Sequence, residues 1–341
     1  MKYLTVIILA KDEAGRIGRL LSSLQRQDAM SDTDRQIDIL VVPNGCSDAT
    51  ADVARLAGEW TFSANNVDCQ VIDLEQGGKS RSWNRAVHEF ASNETDAFFF
   101  FDADIQLLNN CVMSNMLTTL ERRQGTTVVT GNPIKSHVLN GGSSMLGRFS
   151  AAASRETAYT NAICGQCYVA RGDALRKVWL PLDTPGEDGF LNAMITTEGF
   201  TRELPLQNVQ QMVVPTHTYE DETVASFLLH ERRLLVGTMI NRWLFEFLHH
   251  AKFTQHCGDW IRERNELEPS WIEDIIQARA ESSRFLIPSA LLFRRMRRRH
   301  DQGIINYLKS LPVRVATTVA SLIPAWLAHR KLSQKGSSTL W

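Results

Sequence analysis

The chain opens on an unbroken apolar run, Tyr3 to Ala10 (YLTVIILA). A run of this length without polar alternation suits a strand buried on both faces, as in a parallel sheet. Ile17, Leu20, Leu21 and Leu24 then recur at helical spacing across residues 14–27. The same succession repeats. Residues 37–42 (IDILVV) predict a second buried strand, Asn44, Gly45 and Ser47 a turn, and Asp48 to Leu56 the beginning of a helix. Residues 69–74 predict a third strand; Gly77 and Gly78 break the chain before a helix from about Ser80 to Phe90. Residues 97–101 (AFFFF) predict a fourth strand, which stops at Asp102. Strands alternating with helices imply an open α/β sheet, mostly parallel and flanked by helices. Ligands of such sheets sit beyond the carboxyl ends of the strands. The residues there are Asp12 and Glu13, Asn44 to Asp48, Gly77 to Lys79 and Asp102 to Asp104.

Residues 126–134 and Ile163 to Arg171 read as further strands, and Pro185-Gly186-Glu187-Asp188 as a turn into a helix near Phe190 to Glu198. After Pro215 the character changes. Residues 223–253 carry Phe227, Leu228, Leu234, Leu235, Met239, Trp243, Leu244 and Phe247 in a long helical pattern, and two more helical stretches follow at about 268–300 and 303–332. A boundary near residue 222 thus divides an α/β segment, 1–222, from a helical extension, 223–341. The final KGSSTLW reads as a loose tail.

Composition adds two constraints. With 43% hydrophobic and 22% charged residues the chain has ample material for a core. The net charge of −1 is unevenly spread: Arg284 to Trp341 holds 11 Lys/Arg against one acid, Asp301, so net +10. Such a basic segment suggests an anionic partner. The apolar start runs into Lys11, Asp12 and Glu13 rather than a cleavage site, so it reads as a strand and not a signal peptide. The six Cys are scattered, which predicts reduced thiols and a cytoplasmic protein.

The strongest chemical signal is Asp102-Ala103-Asp104 directly after AFFFF. Two carboxylates one residue apart at a strand end can face one hard cation, Mg2+ or Mn2+, leaving room for substrate phosphates. On its own a D-x-D is also a common acidic turn. Here the chain resembles glycosyltransferase family 2, whose members have the Rossmann-like GT-A fold. The resemblance rests on VIILAKDEAGRIGRLLSSL, LVVPNGCSDATADVA, GGKSRSWNRAV, FFFFDADIQL, GQCYVARGDAL, PGEDGFL and HERRLLVG, in that order. It implies an inverting transferase using a nucleotide-diphosphate sugar. In that reading Ala10 and Glu13 border the nucleotide, Asn44 touches the base, Lys79 approaches base or phosphate, and Asp102 lies near the ribose. Asp104 ligates Mn2+ or Mg2+ together with Asp102, Asp188 is the catalytic base, and Glu187 is its neighbour and second choice. Asn44 and Pro43 stand where many members have Asp, so the base stays open, with uracil the default. Taken only as residues, Glu187 and Asp188 equally suit the first turn of a helix, where acids meet the dipole.

Arg233 takes the Arg place of a Gln-x-x-Arg-Trp-type segment and could hold phosphates bidentately; His230 and Leu234 depart from that pattern, which argues against a processive polymerase. As residues alone, the segment is a charged helix face. His217 could complete a metal shell, or be a structural histidine. Cys164-Gly165-Gln166-Cys167 reads as a redox motif, but it falls where the resemblance needs Gly165, and there is no second Cys pair for zinc. Residues 284–300 and 313–327 are short for a bilayer span and suit helices lying on anionic lipid, with Trp326 at the interface. A packed helical extension is the alternative. The expected partners are a nucleotide-diphospho-sugar, a glycan or lipid-linked glycan acceptor and an anionic membrane surface on the cytoplasmic side, with no nucleic acid. Two rivals are a nucleotidyltransferase, which would need a glycine-rich loop where the chain has LAKDEAGR, and an inactive membrane-binding scaffold.

Overall fold

The computed structural model describes residues 1–61, 66–136, 162–182, 184–219, 224–251, 253–282, 285–297 and 303–334. The four apolar runs of the first hundred residues pair in parallel. β1 (Tyr3–Ala10) feeds α1 (Ile17–Gln25); the chain steps outward through β2 (Gln36–Pro43) and α2 (Thr50–Thr61) to β3 (Val67–Val71). It then returns through α3 (Lys79–Arg85) to the other flank of β1 as β4 (Ala97–Asp102). The reversal makes the gap between the ends of β1 and β4 the topological switch point of the sheet. In β4, Phe98 and Phe100 pack in the core on one face and Phe99 and Phe101 in the core on the other. Their burial accounts for the uninterrupted Phe run; each contributes about 1.5–3 kcal/mol.

The chain next forms β5 (Gln106–Leu107), α4 (Val112–Arg122), β6 (Val128–Thr130), β7 (Pro133–Lys135) and β8 (Cys167–Arg171). α5 (Glu187–Thr196), β9 (Val209–Gln211) and β10 (His217–Tyr219) follow. The large sheet has the order β3-β2-β1-β4-β8-β6-β9, and β5-β10-β7 form a small second sheet. β8 runs antiparallel to both β4 and β6, so the sheet is mixed beyond β4. The expected single strand at 126–134 is two strands in different sheets. It breaks at Gly131, where a Cβ would lie 2.8 Å from Thr216 Oγ1 and 2.9 Å from Cys167 Sγ. The six cysteines form no disulfide.

α6 (Val224–His250) is the long predicted helix. Its Leu235, Val236, Met239, Ile240, Trp243 and Leu244 share a hydrophobic core with Phe98, Phe100 and Phe190. The sequence reading overlooked α7 (Cys257–Leu267), whose first turn is capped by His256 accepting from Gly258 N at 3.2 Å. The continuous helix expected at 268–300 is α8 (Trp271–Ser282) and, later, a single turn at Ser289–Leu292. α9 (Ile304–Ala320) runs through Ser321, still right-handed helical, into α10 (Leu322–Ser333). Three of the cations counted toward a membrane face point inward instead. Arg294 and Arg295 meet the buried Glu231 of α6 at 3.2 and 2.7 Å, and Arg314 donates to the carbonyls of Arg295 and Arg297 at 2.6 and 3.2 Å. Arg298, Arg299 and the KGSSTLW tail lie outside the described residues.

Candidate active site at the sheet switch point

Register places the site. Leu9 lies opposite Asp102 and Ala10 opposite Pro43, so the ends of β1, β2 and β4 share one edge. Asn44 knits that edge together. Its side-chain amide donates to Ala10 O at 2.8 Å, and its oxygen accepts from Gly78 N at 3.2 Å. Asn44 was expected to touch the base; both ends of its amide are used within the loops, and it is buried. Ala10 likewise lies in the core, its carbonyl occupied by Asn44. Gly45 adopts φ +56°, and a Cβ there would sit 2.7 Å from Gly77 N, so only glycine permits this approach of the two loops. Asp12, also at positive φ (55°), accepts from Ser47 N and Oγ at 2.6 and 3.0 Å, which holds its carboxyl below the usual range.

Below this edge Lys79, the first residue of α3, points its ammonium between two carboxylates, 2.8 Å from Asp102 Oδ1 and 2.9 Å from Glu187 Oε1. The lysine expected at base or phosphate is therefore the cation of a three-member cluster. Burial opposes its charge, but the two carboxylates raise its pKa well above normal. For Glu187 burial works upward, yet the Lys79 ammonium and the charge of Arg233 bring its carboxyl below the usual range. Asp188, next in the chain, makes no ion pair among the described residues, and the Lys79 charge offsets its burial only in part. Burial first, and the charge of Glu187 second, push it up to about 6. A carboxylate of that pKa suits a general base near neutral pH. The expected helix near Phe190 starts at Glu187, following Gly186 at φ +85°. Gly165 lies against Asp188: a Cβ on it would come within 3.2 Å of Asp188 Cβ. The floor of the cleft is aromatic, Trp83 stacking on Phe100 and Phe100 on Tyr168, with Trp83 Nε1 donating to Tyr168 Oη at 2.8 Å.

The donor set suits a divalent cation. Asp104 is half-buried, and its carboxylate makes no hydrogen bond or ion pair among the described residues. Glu13 is pushed up to about 7 by burial, with the charges of Asp104 and Asp102 adding to it against the opposing Arg16. The charges of Asp102 and Asp104 thus both reach Glu13. His217, fully buried on β10, is lowered to about 3 by burial and is a neutral imidazole; Thr216 Oγ1 lies 2.9 Å from Nδ1 and Gln166 Oε1 3.5 Å from Nε2. Carboxylate with imidazole suits Mn2+, and carboxylate with phosphate oxygens suits Mg2+ as well. Among the described residues Asp102, Asp104 and His217 do not draw three ligand atoms within 4.8 Å of one another; Asp12, Cys46 and Asp48 do, at an exposed loop already bonded to Ser47 and Thr50.

Arg233 stands exposed on α6, close enough to act on Glu187. α6 also steadies the Glu187 loop, since Asn241 Nδ2 donates to Gly186 O at 2.8 Å and Gly237 packs on Pro185 O. Sequence reasoning missed Trp83, Tyr168, Asn241 and Glu231. Nothing in their local spacing marks them, because each acts on a partner at least 55 residues away.

Residues 5–187, more than half of the chain, match the Glycosyl transferase family 2 model. A 4,4'-diaponeurosporenoate glycosyltransferase of Staphylococcus aureus is 33% identical over 119 residues, which span 34% of this chain and 28% of that protein. In overall shape the chain is similar to a mannosyltransferase from Pyrobaculum calidifontis in complex with GDP-Man and Mn2+ (TM-score 0.56, 16% identity, 96% of this chain and 86% of that one). It is also similar to glucosyl-3-phosphoglycerate synthase from Mycobacterium tuberculosis in complex with Mn2+, UDP and phosphoglyceric acid (TM-score 0.50, 15% identity, 74% and 80%). These likenesses support the GT-A fold, and by the match over residues 5–187 the chain belongs to glycosyl transferase family 2.

Proposed function

We propose that this protein transfers a sugar from a nucleoside-diphosphate donor to an acceptor hydroxyl with inversion at the anomeric carbon. The observation that carries the reading is the cleft in which Asp102, at the switch point, meets Glu187 across one lysine, with Asp188 lining the same cleft. Asp188 is the base. It takes the acceptor hydroxyl proton as that oxygen bonds to the anomeric carbon, while the carbon–oxygen bond to the diphosphate breaks and the nucleoside diphosphate leaves. General-base assistance of this kind contributes about 10²–10⁴-fold. Lys79 holds Glu187 and Asp102 in place and keeps Glu187 ionised. Arg233 faces the leaving phosphates. Asp104 and Asp102, with His217, would hold Mn2+ or Mg2+, which neutralises charge developing on the diphosphate. The phosphates themselves would supply the remaining oxygen ligands, which is why the protein side chains alone need not form a closed cage.

UDP-sugars are the favoured donors, and a hydroxyl on a lipid-linked molecule or glycan the favoured acceptor, at the cytoplasmic face of a membrane, in envelope or polysaccharide synthesis. The basic C-terminal segment supports an acceptor held at a surface.

The test is thermal stability of the purified protein against UDP-, GDP- and dTDP-sugars, with Mn2+ and with EDTA. A ligand of the native state at 100 times its Kd adds about 2.7 kcal/mol. A metal-dependent shift with one nucleotide, and transfer lost in Asp188→Asn, is the expected result. Folded protein that responds to no donor would defeat the reading.

A further inference from the structure

The middle of the helix formed by α9 and α10 is built inside out. Its buried face carries Arg314, Thr317, Thr318 and Ser321 there, giving way to Ala325, Ala328 and Leu332 in α10, while its exposed face carries Ile304, Leu308, Val315, Val319, Leu322, Ile323 and Trp326. Those positions follow helical spacing and form one ridge along about 22 residues. A surface helix in water shows the reverse arrangement. The inward polar groups are held: Arg314 by the carbonyls of Arg295 and Arg297, and Ser321 and Thr317 O by the Arg295 side chain, itself paired with Glu231. Phe285 and Phe293, both exposed, belong to the same segment. Exposed cations accompany the ridge: Arg297, Lys309 and Arg330, the last lying over the Trp326 ring at 4.9 Å. From residue 285 to 334 the only acid in the sequence is Asp301.

We infer that this ridge is an in-plane anchor for an anionic lipid bilayer, seated at the headgroup boundary without crossing. This rests on the membrane-surface reading above and assigns the surface that makes the contact. Apolar side chains without acids, with cations and an interfacial Trp beside them, match the chemistry of an anionic leaflet. By length and composition Tyr307–Ser333 could cross a membrane. Crossing would strip Arg314 from the carbonyls of Arg295 and Arg297 and carry it, with Thr317, Thr318 and Ser321, into hydrocarbon, where such groups are costly. Lying in the plane keeps every inward bond and buries only what is already exposed.

The experiment is flotation of the full chain with vesicles of phosphatidylcholine alone and with added phosphatidylglycerol. Val319→Glu/Ile323→Glu removes ridge hydrophobicity at exposed positions, and Trp326→Phe isolates one fluorophore. The expected result is salt-sensitive binding to the anionic vesicles, reduced on the order of tenfold or more in the double variant, with its melting temperature and donor-induced shift unchanged. The part of the emission lost in Trp326→Phe should be quenched by lipids brominated near the headgroup more than by those brominated near the chain end. Anionic vesicles that fail to float the wild type, or float the double variant equally, overturn the anchor. Stronger quenching at the chain end overturns the in-plane seat. A lipid-free dimer that the double variant splits assigns the ridge to a second copy instead. Binding with intact anchor behaviour but no response to any donor would strike the transferase reading and leave the anchor standing.

Discussion

The acid limb of the pH profile is the sharpest consequence of the cluster around Lys79. Asp188 must be ionised to accept a proton, and its pKa lies at about 6 because of burial and then the negative charge of Glu187. Acceptor kcat/KM should therefore fall about tenfold for each pH unit well below 6, one unit being 1.36 kcal/mol between the two protonation states. Glu187→Gln removes the second of these causes and leaves burial, and the smaller effect of Asp102, in place. Two unit charges on the order of 6 Å apart repel by about 2.8 kcal/mol at an effective dielectric near 20. Lys79, 2.9 Å from Glu187, already offsets part of that field; if it cancels roughly half, about 1.4 kcal/mol, one pKa unit, remains. The sign is fixed by two effects acting together. Losing a negative neighbour lowers the pKa of Asp188, and so does the larger share of the Lys79 charge that falls on it. The limb should move from about pH 6 to about pH 5. The assay is initial rate at saturating donor and metal from pH 4.5 to 8.5, with Asp188→Asn as the blank, expected to be down about 10²–10⁴-fold. A limb that moves upward or stays put in Glu187→Gln would refute the argument that Glu187 tunes Asp188.

Other outcomes follow from single contacts. Asp104→Asn should abolish the Mn2+-dependent part of the donor-induced melting shift and leave the melting temperature without ligand unchanged, as read by differential scanning fluorimetry. Gly165→Ala would bring a methyl group to 3.2 Å from Asp188 Cβ; displacing the base by a few tenths of an ångström should lower kcat by roughly tenfold, with the urea midpoint little changed. Glu231→Ala leaves Arg295 buried without its carboxylate and should cost about 3–5 kcal/mol in urea unfolding, whereas Glu231→Met/Arg295→Met should recover most of that loss.

The gathering of Asp102, Asp104 and Lys79 at one sheet edge was legible in the sequence because the strands of that edge are self-evident apolar runs. Asp102 and Asp104 stand at the end of AFFFF, and Lys79 follows a double glycine. The use made of Lys79 and Asn44 was not legible. One bridges to Glu187 and the other staples Ala10 to Gly78, and such pairings are set by strand order rather than by spacing. The mixed half of the sheet was hidden for a related reason. β8 is antiparallel, but CYVAR is as apolar as a parallel strand because it too is covered on both faces, its Tyr168 and Ala170 lying in one core and its Cys167 and Val169 in the other. The C-terminal arginines misled in the opposite sense. Counted as charge they suggest a uniformly basic surface, and only the fold shows that Arg294, Arg295 and Arg314 spend theirs on Glu231 and on backbone carbonyls.

The strand order also bears on how the chain is made. β3, β2, β1 and β4 come from one contiguous stretch ending at Asp102, whereas β8, β6 and β9 draw on residues 128 to 211 out of order. The first group pairs β1 with β4 across most of its own length, Leu4 opposite Ala97, but every partner lies within the first 102 residues, so it can assemble while the rest is still in the ribosome. Asp188, Asn241 and the anchor helix arrive later and must dock onto a surface already formed. During synthesis the edge that carries Asp102 and Lys79 would therefore exist before Glu187 and Asp188 dock beside it, so the cluster closes only when the second half of the chain is in place.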